Sequence, residues 1–225
     1  MRWIKRGMWA VLALLVVLGV ALGLYVQRSL PQLDGQLRLS VLKAPVEIKR
    51  DASDVTHVIA QSPLDAMRAI GYVHAQERGW QLDFNRRIMR GELSALLGPA
   101  TLETDKLMRT LGIRQAAQAQ WERMPPAVQA QLQAYAQGIN AFYTEGSQAL
   151  SPEFQVLRVN PREAAKAGQY WDVLDSMGWS IMMALDLGGN WGTEFARLSM
   201  LQVLDTPALW QALPPYPGEP PAASA

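Results

Sequence analysis

The chain reads as an α+β protein that is mostly helical, with an N-terminal membrane helix, a short β-hairpin and then a run of packed helices. Three observations carry that expectation. Gly7 to Val26 is an uncharged apolar run. PVEIKRD (Pro45 to Asp51) and Thr56 to Ala60 alternate in strand fashion around a turn. From Ser62 onward, apolar residues recur at helical spacing between glycine and proline stops. The 225 residues, 49% hydrophobic and 18% charged, exclude a disordered or fibrous polymer. With no cysteine, disulfides, thiol catalysis and thiolate metal sites are excluded as well.

At 1.5 Å per residue the run from Gly7 to Val26 spans roughly the 30 Å of a hydrocarbon layer. Arg2, Lys5 and Arg6 precede it, which keeps the start cytoplasmic and sends the rest across; in a bacterium that destination is the periplasm. Val20 to Gln27 offers no small-x-small cleavage pattern, so the reading favours a retained anchor in the inner membrane over a removed signal. Gly19 and Gly23 form a weak GxxxG spacing. The net charge is +1, but Arg2, Lys5, Arg6 and Arg28 crowd one end, leaving the remainder more anionic than cationic, and no nucleic-acid surface is indicated.

After the hairpin, Ser62 caps a helix with Pro63 in its first turn, and Gly71 reads as an interruption before a second helix from Tyr72 to Arg90. A short helix from Glu92 ends at Gly98-Pro99, and Leu102 to Trp121 reads as one more. Pro125-Pro126 restarts the chain, with Val128, Leu132, Tyr135, Ile139 and Phe142 as an apolar stripe that stops at Gly146. Ser151 to Gly168 is loop-like. Trp171 to Leu185 is so poor in charge that it must be buried or covered by a partner. Gly188-Gly189-Asn190 is a hinge-like break, and Thr193 caps a helix to about Leu204 with Glu194 in its first turn. Five prolines between Leu213 and Ala225 mark a linker-like tail.

Spacing alone names no reaction. His57 and His74 match no metal or triad spacing and read as structural. Gly178-Trp179-Ser180-Ile181-Met182 lacks the final glycine of a nucleophile elbow, and the glycines at 188, 189 and 192 follow no strand. Arg86, Arg87 and Arg90 are explained more simply by ion pairs with Glu77, Asp83 or Glu92 than by a bound anion.

Longer stretches carry a resemblance. PVEIKRD, THVIAQSPLDAMRAIGYVHAQERGWQLDFNRRIMRGELSALLG (Thr56 to Gly98), MRTLGIR (Met108 to Arg114), YAQGINAF (Tyr135 to Phe142), Trp171 with Asp175-Ser176, and MALDLGGNWGTEFARL (Met183 to Leu198) resemble the penicillin acylase family of N-terminal-nucleophile hydrolases, over about residues 30 to 205. In that family a precursor is cut into an α and a larger β segment. The resemblance implies an α segment whose helices complement an αββα β segment absent from this chain. It divides the chain into a signal or anchor (1–28), the α segment (29–205) and the tail (206–225).

The resemblance further implies that no catalytic residue lies in this chain. A serine at the new N-terminus of the β segment attacks the amide, and its own α-amine serves as base. Ala184 and Gly188 fall where relatives carry larger residues that close the acyl pocket, which leaves room for a longer acyl chain. Glu194 falls on the ligand of a structural calcium; the alternative is a first-turn carboxylate paired with Arg197. No organic cofactor is implied. The partners are the β segment, a small acyl amide (a β-lactam, an acyl-homoserine lactone or a relative of these) and the inner membrane through residues 7–26. Asp54 and Thr56 stand where the family usually has glycine and proline, and Val173 replaces a common proline. These departures leave a second expectation open: a membrane-anchored binding protein or truncated remnant without chemistry.

Overall fold

In the computed structural model, which describes residues 2–168 and 170–214, the chain forms two compact units, Met1–Ser180 and Ile181–Ala225. It is mostly helical, with one antiparallel two-stranded sheet.

The first unit opens with α1 (Arg2–Ser29), whose apolar window has a mean hydropathy of 2.6 and is not buried against the body. A helix of this kind at an N-terminus serves as a signal or as an anchor. Its last turn is nevertheless tied to the body. The Tyr25 hydroxyl donates to the Leu150 carbonyl at 2.6 Å, Ala149 N–H to the Arg28 carbonyl at 2.9 Å, and Gln148 Nε2 to the Ser29 carbonyl at 2.7 Å.

β1 (Glu47–Arg50) and β2 (Thr56–Ile59) pair with Glu47 opposite Ile59 and Arg50 opposite Thr56. The turn between them places Asp54 at φ 60°, the left-handed conformation that a glycine would adopt freely. Asp51 closes the turn by accepting from Ser53 N–H at 2.9 Å and Val55 N–H at 3.0 Å.

The core is the crossing of α2 (Pro63–Arg90) with α6 (Pro126–Glu145). Gly71 does not interrupt α2. A Cβ there would run into the Tyr135 carbonyl, and one on Gly138 into the Arg68 carbonyl, so the two glycines let the helix backbones touch. The break in helical geometry comes instead at Arg78 (φ −131°). Around the crossing, Tyr72, Ile139, Phe142, Tyr143, Phe154 and Tyr170 are buried, with rings at edge-to-face angles.

Between these helices, α3 (Ser94–Leu97) ends at Gly98 where the short helix from Glu92 is expected to end, while α4 (Leu102–Leu111) and α5 (Ile113–Trp121) replace the single helix expected over 102–121, because Gly112 caps α4 at φ 66°. The stretch read as a loop contains α7 (Pro152–Val156) and α8 (Pro161–Lys166). Each starts on a proline, and Asn160 accepts from Arg162 N–H at 3.2 Å.

α9 (Val173–Leu187) begins in the first unit, where Asp175, Met177 and Gly178 are buried. In the second unit α10 (Trp191–Met200) starts two residues before the expected Thr193 cap, and α11 (Thr206–Ala212) is capped by Asp205, which accepts from Ala208 N–H at 2.9 Å. The segment 206–225, expected as a linker-like tail, thus begins with a helix, and its part beyond residue 214 lies outside the described residues.

Candidate functional site

The three positions singled out from the sequence all lie in the second unit. Ala184 is in the last turn of α9, Gly188 just past its end with its N–H on the Ala184 carbonyl at 2.9 Å, and Glu194 in the first turn of α10. All three are exposed. Leu187, Trp191, Phe195 and Leu198 are exposed as well, each by more than half, so the helix end, hinge and α10 present a largely apolar surface. Trp191 and Phe195 meet edge to face at 6.0 Å.

Glu194 pairs with Arg197, Oε1 to Nη1 at 2.5 Å, and that guanidinium lies 5.4 Å from the centre of the Trp210 ring. Calcium takes about six to eight oxygens. Among the described residues no three histidine or acidic side chains converge, and the Glu194 carboxylate is already engaged by an arginine.

The first unit supplies the frame from which α9 starts, and the frame is a set of ion pairs centred on two buried aspartates, Asp83 and Asp175. Asp83, fully buried, accepts from Arg86 Nη2 and Arg87 Nε, both at 2.6 Å. Arg86 also donates to the Tyr170 carbonyl at 2.7 Å and lies over the Tyr170 ring. Arg90 reaches across to Asp175 with two bonds, and Arg114 to Asp172 at 3.0 Å. Asp172 and Asp175 cap one another, each accepting the other's N–H, at 2.9 and 3.1 Å. Burial pushes the Asp175 carboxyl up, against the pull of the Arg90 guanidinium.

The arginine cluster is thus satisfied by carboxylates, as the sequence reading has it. Asp175, however, was not among the partners that local spacing offered, and Glu77 pairs with Arg50 instead. Next to this frame Met67, Leu132, Tyr135, Trp171 and Trp179 line a largely apolar cavity of about 250 Å³. The histidines hold structure. His57 bonds Asp51 at 2.9 Å, and His74 Nδ1 lies 2.9 Å from the Tyr135 hydroxyl.

Residues 45–224 match the family described as Penicillin amidase. The chain is 32% identical over 174 residues, 77% of its length, to penicillin acylase 2 proenzyme of Pseudomonas sp. strain SE83. To acyl-homoserine lactone acylase QuiP of Pseudomonas aeruginosa it is 31% identical over 85% of its length. It spans 21% and 22% of those two proteins. Among solved structures, a chain of the thermostable penicillin G acylase of Alcaligenes faecalis superposes with a TM-score of 0.61 at 25% identity, covering 80% of this chain and 97% of that one. Fold and relatives together define one segment of a penicillin amidase-type protein. The chain belongs to the penicillin amidase family.

Proposed function

We propose that the chain is the α portion of an exported acylase that removes an acyl group from a β-lactam, an acyl-homoserine lactone or a related amide. One observation carries the reading. The chain spans about a fifth of its curated relatives, yet it spans nearly the whole of one separate chain of a solved penicillin G acylase. The name proenzyme attached to one relative fits a precursor that is divided.

In this reading the complementary β segment brings the N-terminal serine, whose hydroxyl attacks the amide carbonyl while its α-amine takes the proton. Its oxyanion donors stabilise the tetrahedral charge. The present chain contributes binding surface. Ala184 and Gly188 form one wall of the acyl pocket and leave space for a long acyl chain. Glu194 is the chain's one calcium ligand, the remaining oxygens coming from the partner. The exposed apolar residues around the hinge are what the partner covers, and α1 holds the assembly at the periplasmic face of the inner membrane. The bonds from Tyr25, Arg28 and Ser29 to residues 148–150 support retention of α1, since its removal would strip contacts from the body.

The test is to express the chain alone and with the segment encoded beside it that begins with Ser, Thr or Cys, then to follow acyl release from penicillins and acyl-homoserine lactones. Activity is expected only from the pair. Turnover by the chain alone at enzymic speed refutes the division of labour, and an inactive assembled pair leaves the reading as a binding protein.

A further inference from the structure

We infer that the exit end of α1 and the segment 148–162 together form a binding site for the phosphate of a phospholipid headgroup. The inference rests on the reading of α1 as a retained membrane helix.

The apolar run Gly7 to Val26 matches the hydrocarbon thickness of roughly 30 Å, so Tyr25 falls in its last turn, at the depth where aromatic rings meet the headgroups. Arg28 lies just beyond. The bonds from Tyr25 to Leu150, Ala149 to Arg28 and Gln148 to Ser29 then hold the 148–150 segment at that same depth. Beside the junction is an open cavity of about 530 Å³, lined among others by Tyr25, Phe154, Gln155, Arg158, Asn160 and Arg162. Among the described residues no acidic side chain lines it.

Arg158 and Arg162, the two arginines that line the cavity, have no carboxylate partner among the described residues, and neither has Arg28 at the end of α1. Arg162 donates one bond, to the Gln148 carbonyl, and keeps the rest of its fork. Arg158 sits at φ 54°, where glycine or asparagine is at ease and an arginine is strained. Its side chain is exposed and makes no hydrogen bond or ion pair among the described residues, so the guanidinium is available to an anion. Val156, 78% exposed on the turn before it, supplies an apolar contact suited to the same boundary. A phosphodiester between the two arginine forks, with its acyl chains beside α1, satisfies the charges and the depth together.

The test uses the full chain purified in detergent and examined by native mass spectrometry with phosphatidylglycerol, with diacylglycerol of the same acyl chains, and with inorganic phosphate as competitor. One phosphatidylglycerol is expected to be retained, diacylglycerol to be lost, and inorganic phosphate to leave the adduct in place. Arg158→Gly relieves the left-handed strain, so it should keep or raise the melting temperature while weakening retention about fivefold, and adding Arg28→Gln should weaken it about fivefold again. Undiminished retention in Arg158→Gly overturns the site, as does equal retention of diacylglycerol or displacement by inorganic phosphate. The intact mass and alkaline extraction of membrane-bound chain separate the two levels. A chain recovered without residues 1–28, or freed by alkali, refutes the anchor and the site with it, whereas a full-length, membrane-held chain without a selective adduct refutes the site alone.

Discussion

Arg90 and Asp175, 85 residues apart in the chain, form a two-point clasp: Nε to Oδ1 at 2.7 Å and Nη2 to Oδ2 at 2.8 Å. The clasp fixes the start of α9 against the end of α2. Because Asp175 is fully buried, it is expensive to break and adds little as a pair. Asp175→Asn should cost about 3 kcal/mol, and the double replacement Arg90→Met with Asp175→Leu should recover most of that loss. Urea denaturation of the parent, Asp175→Asn and the double variant measures both effects.

The α2/α6 crossing depends on two absent side chains. Gly138→Ala pushes a methyl group into the Arg68 carbonyl and should cost about 1–3 kcal/mol, and Gly71→Ala should cost a similar amount against Tyr135. Once one substitution has forced the helices apart, the second meets less resistance, so the double variant should lose less than the sum. Thermal melts of the three variants decide this.

The same crossing shows where the sequence was legible and where it was not. The stripe Leu132, Tyr135, Ile139 and Phe142 announced α6 because a helix face repeats locally. Gly71 was read as a break because its reason, the carbonyl of Tyr135, lies 64 positions away. Asp175 as the partner of Arg90 was hidden for the same cause. By contrast, α7 and α8 are legible locally: Ser151-Pro152 and Asn160-Pro161 repeat the Ser62-Pro63 pattern that opens α2. Glu194 with Arg197 was visible as an i, i+3 pair, whereas a calcium cage drawing on another polypeptide leaves no trace in this one.

Acid should weaken the first unit in two steps. His74 is held below its ordinary range, first by burial and then by Arg78, with Glu77 opposing. The unfolded chain therefore takes up this proton before the folded one, and stability falls as pH drops from about 6.5 towards the lower folded value. The second step begins near the ordinary aspartate value of about 3.9. Lys43 N–H draws the Asp65 carboxyl down, burial opposes this and Arg68 assists. At Asp105 burial pushes up, but Ser94 and the N–H of Leu93 outweigh it. Both carboxylates stabilise the fold above that value and lose the contribution as pH falls through their folded values. His74→Gln should flatten the first step of the denaturant midpoint against pH, and Asp105→Asn should reduce the second at the cost of lower stability at neutral pH.

If Ala184 and Gly188 line the acyl pocket, filling them should shorten the preferred acyl chain. Each buried methylene contributes about 0.8 kcal/mol, or roughly fourfold in kcat/KM. Ala184→Phe in the assembled enzyme should reduce kcat/KM for long acyl chains by that factor for each methylene excluded, while leaving short ones nearly unchanged. A series of acyl-homoserine lactones of increasing length measures the slope. A uniform loss across the series places Ala184 outside the pocket.

The surface around the hinge should behave as an interface. Trp191, Phe195 and Leu198 are spaced at i, i+4 and i+7 on α10 and are each exposed by more than half, a contiguous apolar stripe of the kind that soluble proteins keep covered. The soluble part of the chain, without α1, should therefore bind a hydrophobic dye, and co-expression with the complementary segment should abolish that fluorescence. Phe195→Gln with Leu198→Gln should quieten the free chain without a partner, because the change removes exposed carbon and leaves the first unit untouched. The same pair should weaken assembly, by about 1.5–3 kcal/mol for each side chain that the partner fully buries. Titration of labelled chain with the partner reads that loss as a shift in Kd. A free chain silent to dye, or a double variant that assembles as tightly as the parent, would show that the stripe faces water in the enzyme as well.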